Sequence, residues 1–130
     1  MLNRLHVILS AELKGREPDD NKERTQSLDA YLSRCYSDVH DKVIGHYQGQ
    51  SENSFIVQCK DHREVGDLFD KAQDYGQECI MLVDAKGVGF LLYSNLKMER
   101  LGPVTASEWL PEGLQNYTYN PVSQTYYYTL

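Results

Sequence analysis

Gln77-Glu78-Cys79-Ile80-Met81-Leu82-Val83 is the most continuous apolar run of the chain, and it opens on a polar pair. Five consecutive apolar residues are too short for a helix and fit a buried strand. Gly76 stands just before the run, where a helix C-cap glycine belongs. Upstream, Val65, Leu68, Phe69 and Ala72 recur at helical spacing between about Asp61 and Tyr75. Asp61 is a suitable N-cap, and Glu64 three residues later completes a capping-box pattern. Downstream, Asp84-Ala85-Lys86-Gly87 is a hairpin connection to a strand from Val88 to Tyr93, in which Gly89 is expected to mark a bulge.

The N-terminal half carries a matching unit. The stretch from Arg4 to Leu13 reads as a first strand, ended by Gly15, Pro18, Asp19 and Asp20. From about Asn21 to Ser37, Leu28, Tyr31, Leu32, Cys35 and Tyr36 give one apolar helix face. Two strands, His40 to Tyr47 and Ser54 to Cys59, are separated by the polar turn Gly49-Gln50-Ser51-Glu52-Asn53 and are expected to pair antiparallel. The order strand, helix, strand, strand, helix, strand predicts an α+β fold, a ferredoxin-like βαββαβ sandwich with additional C-terminal strands. Helices would cover one sheet face and leave the other in need of a partner. Past Leu101 the chain is broken by Pro103, Pro111, Gly113 and Pro121, yet carries Trp109 and the tyrosines 117, 119, 126, 127 and 128. Such a tail is expected to pack as short strands over the sheet or onto a second subunit, so self-association is favoured.

A chain of 130 residues and 15.0 kDa is expected to form one domain, residues 1–130. With 41% hydrophobic and 25% charged residues it should fold rather than stay disordered. A net charge of −6 and a pI near 5.1 exclude a nucleic-acid footprint built on clustered Lys and Arg. Cys35, Cys59 and Cys79 form no CxxC pair, which points to reduced thiols and a cytosolic setting. No leader pattern and no apolar run of about 18 residues is present, so a secreted or membrane-inserted protein is not expected. Asp38, His40 and Asp41 offer ligand atoms, but no second cluster completes a shell, and no metal is expected. GxSxG, Walker, GxGxxG and HExxH patterns are absent. The candidate that remains is Glu78, a carboxylate at the mouth of a buried strand, with His46 and Tyr47 ending a strand that could approach it.

Several short strings resemble the S-adenosylmethionine (SAM) degrading enzymes of tailed phages, long called SAM hydrolases and better described as SAM lyases. They are Val7-Ile8-Leu9-Ser10-Ala11, Gly45-His46-Tyr47, Val57-Gln58-Cys59-Lys60-Asp61, Gln77 to Val83, Leu92-Tyr93 and Glu99-Arg100-Leu101, in the same order over about residues 5–102. The acidic position matched by Glu78 is Asp in some members, and the turn after Gly45 differs. The resemblance implies a ferredoxin-like, PII-like trimer with sites between subunits. It also implies cleavage of SAM to 5′-methylthioadenosine and homoserine lactone, with no cofactor and no metal. Glu78 would be the key acidic residue, and Tyr47, Gln77, Ser10, Glu99 and Arg100 would contact substrate, Arg100 through the substrate carboxylate. A phage protein acting in the host bacterial cytoplasm, depleting SAM against restriction-modification, is the implied setting. Two other classes compete on the residues alone: a non-enzymatic PII-like module binding an adenine ligand or host protein, and an acidic decoy of a DNA-binding enzyme.

Overall fold

The computed structural model describes residues 4–47 and 49–130, so the start of the N-terminal stretch read for a leader lies outside the described residues. The elements are β1 (His6–Ser10), α1 (Pro18–Cys35), β2 (His40–Tyr47), β3 (Gln50–Gln58), α2 (His62–Asp74), β4 (Cys79–Val83), β5 (Val88–Tyr93), β6 (Met98–Ser107), β7 (Tyr117–Asn120) and β8 (Thr125–Thr129). The apolar run after Gly76 is indeed a strand, and α2 begins as its sequence demands. Asp61 accepts the Glu64 amide at 3.1 Å, while the Glu64 carboxylate reaches back to the Lys60 amide at 2.8 Å. The glycine after α2 takes a φ of 71°, the left-handed value that lets the chain turn into β4.

The expected ferredoxin-like sandwich is corrected by the sheet. All eight strands form one closed antiparallel barrel in the order β1-β3-β2-β7-β8-β6-β5-β4, with β4 pairing back onto β1. The predicted order of the first six elements is present. Four further strand positions then carry the sheet round until it meets itself. The reason lies in the face that helices leave bare. On the outer face, Val7, Leu9, Phe55, Val57, Ile80 and Leu82 pack with Leu28 and Leu32 of α1 and Val65 and Leu68 of α2 in the main core. On the inner face, Ile8, Val43 and Ile56 meet Met81 and Tyr127. The bare face thus needs no second layer, because β8, delivered by the tail, folds over it. Closure also removes the edges that an open sheet would expose.

Two local features make the closure possible. The register of β5 against β6 shifts between Gly89 and Phe90, placing the bulge where Gly89 predicted one. A Cβ on Gly89 would lie 3.0 Å from Val104 Cγ2 and 3.1 Å from Met81 Cε, so glycine is what lets the barrel wall close there. β3 begins earlier than expected: Gln50 to Asn53 are ladder residues, not turn, and of the expected turn residues Gly49, at φ 82°, is the one outside the ladder. No helix among the described residues is long and apolar enough to cross a membrane.

Candidate functional site

Antiparallel pairing brings the ends of β1, β2 and β5 together with the starts of β3, β4 and β6 at one mouth of the barrel. Strand alternation then decides which side chains face inward. Gly45 pairs with Glu52, Ser10 with Ser54, Cys79 with Tyr93, and Leu91 with Glu99. Ser54 lies two residues from Ile56 and Cys79 two from Met81, both of the inner cluster, and Met81 pairs with Leu91, the partner of Glu99. Ser10, Glu52, Cys79, Tyr93 and Glu99 therefore share the inner face at this mouth.

The electrostatics of the mouth follow from this placement. Burial pushes the Cys79 thiol up, and the charges of Glu78, Glu52 and Glu99 push it further. The Tyr93 hydroxyl donates to Glu99 Oε1 at 2.8 Å, which, with Cys79 and Tyr47 nearby, raises its pKa to about 12. Glu52 is raised by the desolvating wall around it and by Glu12, with the neighbouring Ser10 opposing the rise. Its tip is nevertheless exposed, so the rise is that of a carboxylate at a rim rather than of a buried one. The mouth is acidic, and no ion pair among the described residues neutralises Glu52, Glu78 or Glu99.

The expected site residues separate into distinct roles. Glu78 is exposed on the segment before β4, where its carbonyl accepts the Ser94 amide at 2.8 Å. Tyr47 ends β2 at the rim, 59% exposed. Glu99 is exposed on the inner face of β6. Ser10 and Gln77 are buried or half-buried and act on the backbone. Ser10 Oγ donates to the Asn53 carbonyl at 2.7 Å and accepts the Glu12 amide at 3.0 Å; Gln77 Nε2 donates to the Glu12 carbonyl at 2.8 Å. Glu12 in turn accepts from the Asn53 amide and side chain at 3.2 and 2.9 Å, so this network ties β1, β3 and the entry to β4 into one rigid rim. Arg100 pairs with Phe90, whose side chain packs on the outer core, and so faces away from Glu99. His46 also leaves the mouth: it stacks on Tyr117 at 4.4 Å on the outer wall.

Sequence reasoning missed Glu52, Tyr93 and Cys79 as neighbours of this site. Glu52 was hidden in the polar Gly49–Asn53 stretch; its spacing of two from Ser54, Ile56 and Gln58 was the available signal. Among the described residues no group of three or more His, Cys, Asp and Glu side chains could hold a metal ion.

The S-Adenosylmethionine lyase family model matches residues 7–130, nearly the whole described chain and every residue of this mouth. The chain belongs to the S-adenosylmethionine lyase family. No curated protein sequence matches it. Membership makes this protein an enzyme that acts on SAM, which sets aside the non-enzymatic module and the decoy. It also gives the acidic mouth a chemical meaning, since SAM carries a permanent sulfonium charge and a fixed cation suits uncompensated carboxylates.

Proposed function

We propose that this SAM lyase cleaves its substrate by intramolecular lactonisation at the Cys79 mouth. The supporting observation is the set of three carboxylates, Glu52, Glu78 and Glu99, that act on Cys79 at the open end of the barrel and have no ion-pair partner among the described residues. The methionyl carboxylate oxygen bonds to the γ-carbon, the carbon–sulfur bond breaks, and its electron pair stays on sulfur. 5′-Methylthioadenosine and homoserine lactone result, with no proton transferred and no protein nucleophile. Cys79, kept as the thiol by burial and its carboxylate neighbours, is unsuited to intercept the sulfonium.

The chemistry sets what the carboxylates do. Opposite charges collapse on the way to the transition state, so an acidic group near sulfur stabilises the ground state at least as much as the transition state. One carboxylate about 4 Å from the sulfonium contributes about 1 kcal/mol in water and about 4 kcal/mol at a protein surface. These groups therefore bind and orient. Rate comes from holding the substrate carboxylate near its own γ-carbon and stripping its water, worth several kcal/mol. Glu78 binds the ribose hydroxyls or faces the sulfonium from the rim, and Tyr47 offers its ring to the adenosyl or methionyl part. Ser10 and Gln77 fix the rim on which they stand.

The barrel mouth carries exposed apolar side chains, Tyr47, Met98 at 55% and Leu96 at 74%, and a homotrimer with sites between subunits would cover them. The biological reading is a phage enzyme that depletes SAM in the bacterial cytoplasm and so disables SAM-dependent restriction and methylation. Incubating the pure protein with SAM and analysing products by mass spectrometry should give methylthioadenosine and homoserine lactone. In oxygen-18 water, early product should carry no label; label on the γ-hydroxyl of homoserine would mean direct hydrolysis and overturn the lactone route. Glu78→Gln should lose most turnover with its thermal unfolding unchanged, and an unaltered rate would remove Glu78 from the site.

A further inference from the structure

Glu99, one of the three carboxylates that act on Cys79, is anchored by the side chain of another strand. Tyr93 ends β5, pairs with Cys79 across the sheet, and reaches along the mouth to Glu99 of β6. The bond, at 2.8 Å, occupies Oε1 and leaves Oε2 to face a ligand. A hydroxyl donor fixes the carboxylate's direction without cancelling its charge, whereas an arginine or lysine in the same place would do both. The nearby cations do not take that role. Arg100 projects to the opposite face, beside Phe90, and Lys97 sits in the turn before β6 with no ion pair to Glu99. The turn itself is tightly built: Leu96 adopts φ 71°, Tyr93 exchanges backbone bonds with Leu96 and Lys97 at 2.8 and 2.9 Å, and Asn95 Oδ1 accepts the Lys97 amide at 3.0 Å. A leucine in the left-handed region costs conformational energy, so the surrounding bonds impose this turn and with it the spacing of Tyr93 from Glu99.

We propose that Tyr93 is a positioning residue that aims the Glu99 carboxylate at the sulfonium, so that the pair reads the substrate's positive charge and rejects uncharged thioethers of the same shape. The inference rests on SAM binding at this mouth. It assigns to Glu99 a task different from that of Glu78, whose carboxylate stands on the exposed segment before β4. The distinction matters because S-adenosylhomocysteine, a thioether lacking only the methyl group and the charge, accumulates wherever SAM is used to methylate.

The experiment compares the two ligands on the full chain. KM and kcat for SAM and the competitive Ki of S-adenosylhomocysteine are measured for wild type, Tyr93→Phe, Glu99→Gln and the double variant. Loss of one aimed charge should raise KM for SAM about tenfold in each single variant, a Coulomb effect of surface size. The Ki of S-adenosylhomocysteine should move less than about twofold, because that ligand presents no charge to read. Tyr93→Phe should add nothing in the Glu99→Gln background. Equal weakening of both ligands, additive variants, or an unchanged KM in Glu99→Gln would each overturn the proposal. Glu99 is exposed, so its variant reports even where Tyr93→Phe fails to fold. Should wild type bind SAM without cleaving it, the lactonisation reading fails alone, and calorimetric Kd values for the same ligands and variants still decide the charge-reading pair.

Discussion

Glu52 is a carboxyl whose folded environment favours its protonated form, because the wall of the mouth desolvates it and Glu12 repels its charge. The linkage follows from that direction. In the window just above the ordinary glutamate pKa of 4.5 the folded state binds more protons than the unfolded state, so this group's contribution falls as pH rises. Glu52→Gln should therefore raise Tm at pH 7 and leave it unchanged near pH 3, where the native carboxyl is also neutral; an equal rise at both values would show a packing effect instead. Cys79 gives a second test at this scale. Its thiol is raised by burial and by Glu78, Glu52 and Glu99, whereas Cys35 is exposed on the last turn of α1. Alkylation by iodoacetamide at neutral pH, mapped by peptide mass, should label Cys35 first and Cys79 at least about tenfold more slowly, since the thiolate is the reactive form. Cys59, buried and pushed up to about 12, should be slower still. Comparable labelling of Cys79 and Cys35 would deny the acidic enclosure on which the site reading depends.

At the scale of elements, the strands and helices that were legible are those with strong period and punctuation. β4 was readable because its five apolar residues follow a C-cap glycine, and α2 because Asp61 and Glu64 announce its start. β6 was not. Its first half, Met98-Glu99-Arg100, is exposed and charged, and Gly102-Pro103 interrupts the rest, so neither alternation nor an apolar run survives in the sequence. The ladder tolerates Pro103 because the neighbouring Val104 amide supplies a bond to the Gly87 carbonyl at 2.8 Å. The start of β3 was hidden by the same cause: Gln50 to Asn53 lie at the exposed rim, where composition is that of a turn. Glu52 and Glu99, two carboxylates of the mouth, were thereby placed on segments without a readable face, and their convergence on Cys79 depended on register that local pattern does not carry. Gly89 shows the opposite case, a single residue whose meaning was legible. Gly89→Ala would push a methyl group against Val104 and Met81 inside the barrel. Overpacking of this kind costs about 1–3 kcal/mol, toward the lower end here because the Met81 thioether can yield. Chemical denaturation should show that loss with an unchanged m-value, and a neutral substitution would mean the wall has slack.

For the whole molecule, the decisive step is the return of the C-terminal hairpin, and the tyrosines disguised it. β7 keeps its alternation, Tyr117 and Tyr119 outward with Thr118 and Asn120 inward, but it is only four residues long; in β8 Tyr126, Tyr127 and Tyr128 put the same side chain on both faces, and the two-residue period vanishes from the sequence. Tyr127 turns inward onto Ile8, Val43 and Ile56, while Tyr117, Tyr119 and Tyr126 cluster outside with His46. The unit expected to stand as an open sandwich is thus the wall of a barrel, and its inner face is apolar because β8 crosses it. Removing residues 115–130 would unpair one side of β2 and one side of β6, uncover that face, and take from Asp41 the hydrogen bond its carboxylate accepts from the 2%-exposed Asn120 at 3.2 Å. Two unpaired strands flanking an apolar surface favour association through edges over a stable monomer. The shortened chain should therefore bind a hydrophobic dye, lose near-ultraviolet circular dichroism and aggregate, whereas Tyr127→Ala in the full chain should keep the fold at a cost of about 3 kcal/mol. Cooperative unfolding of a soluble, monomeric shortened chain would show instead that the remaining six strands and two helices hold themselves together, and that closure serves the shape of the mouth rather than the stability of the protein.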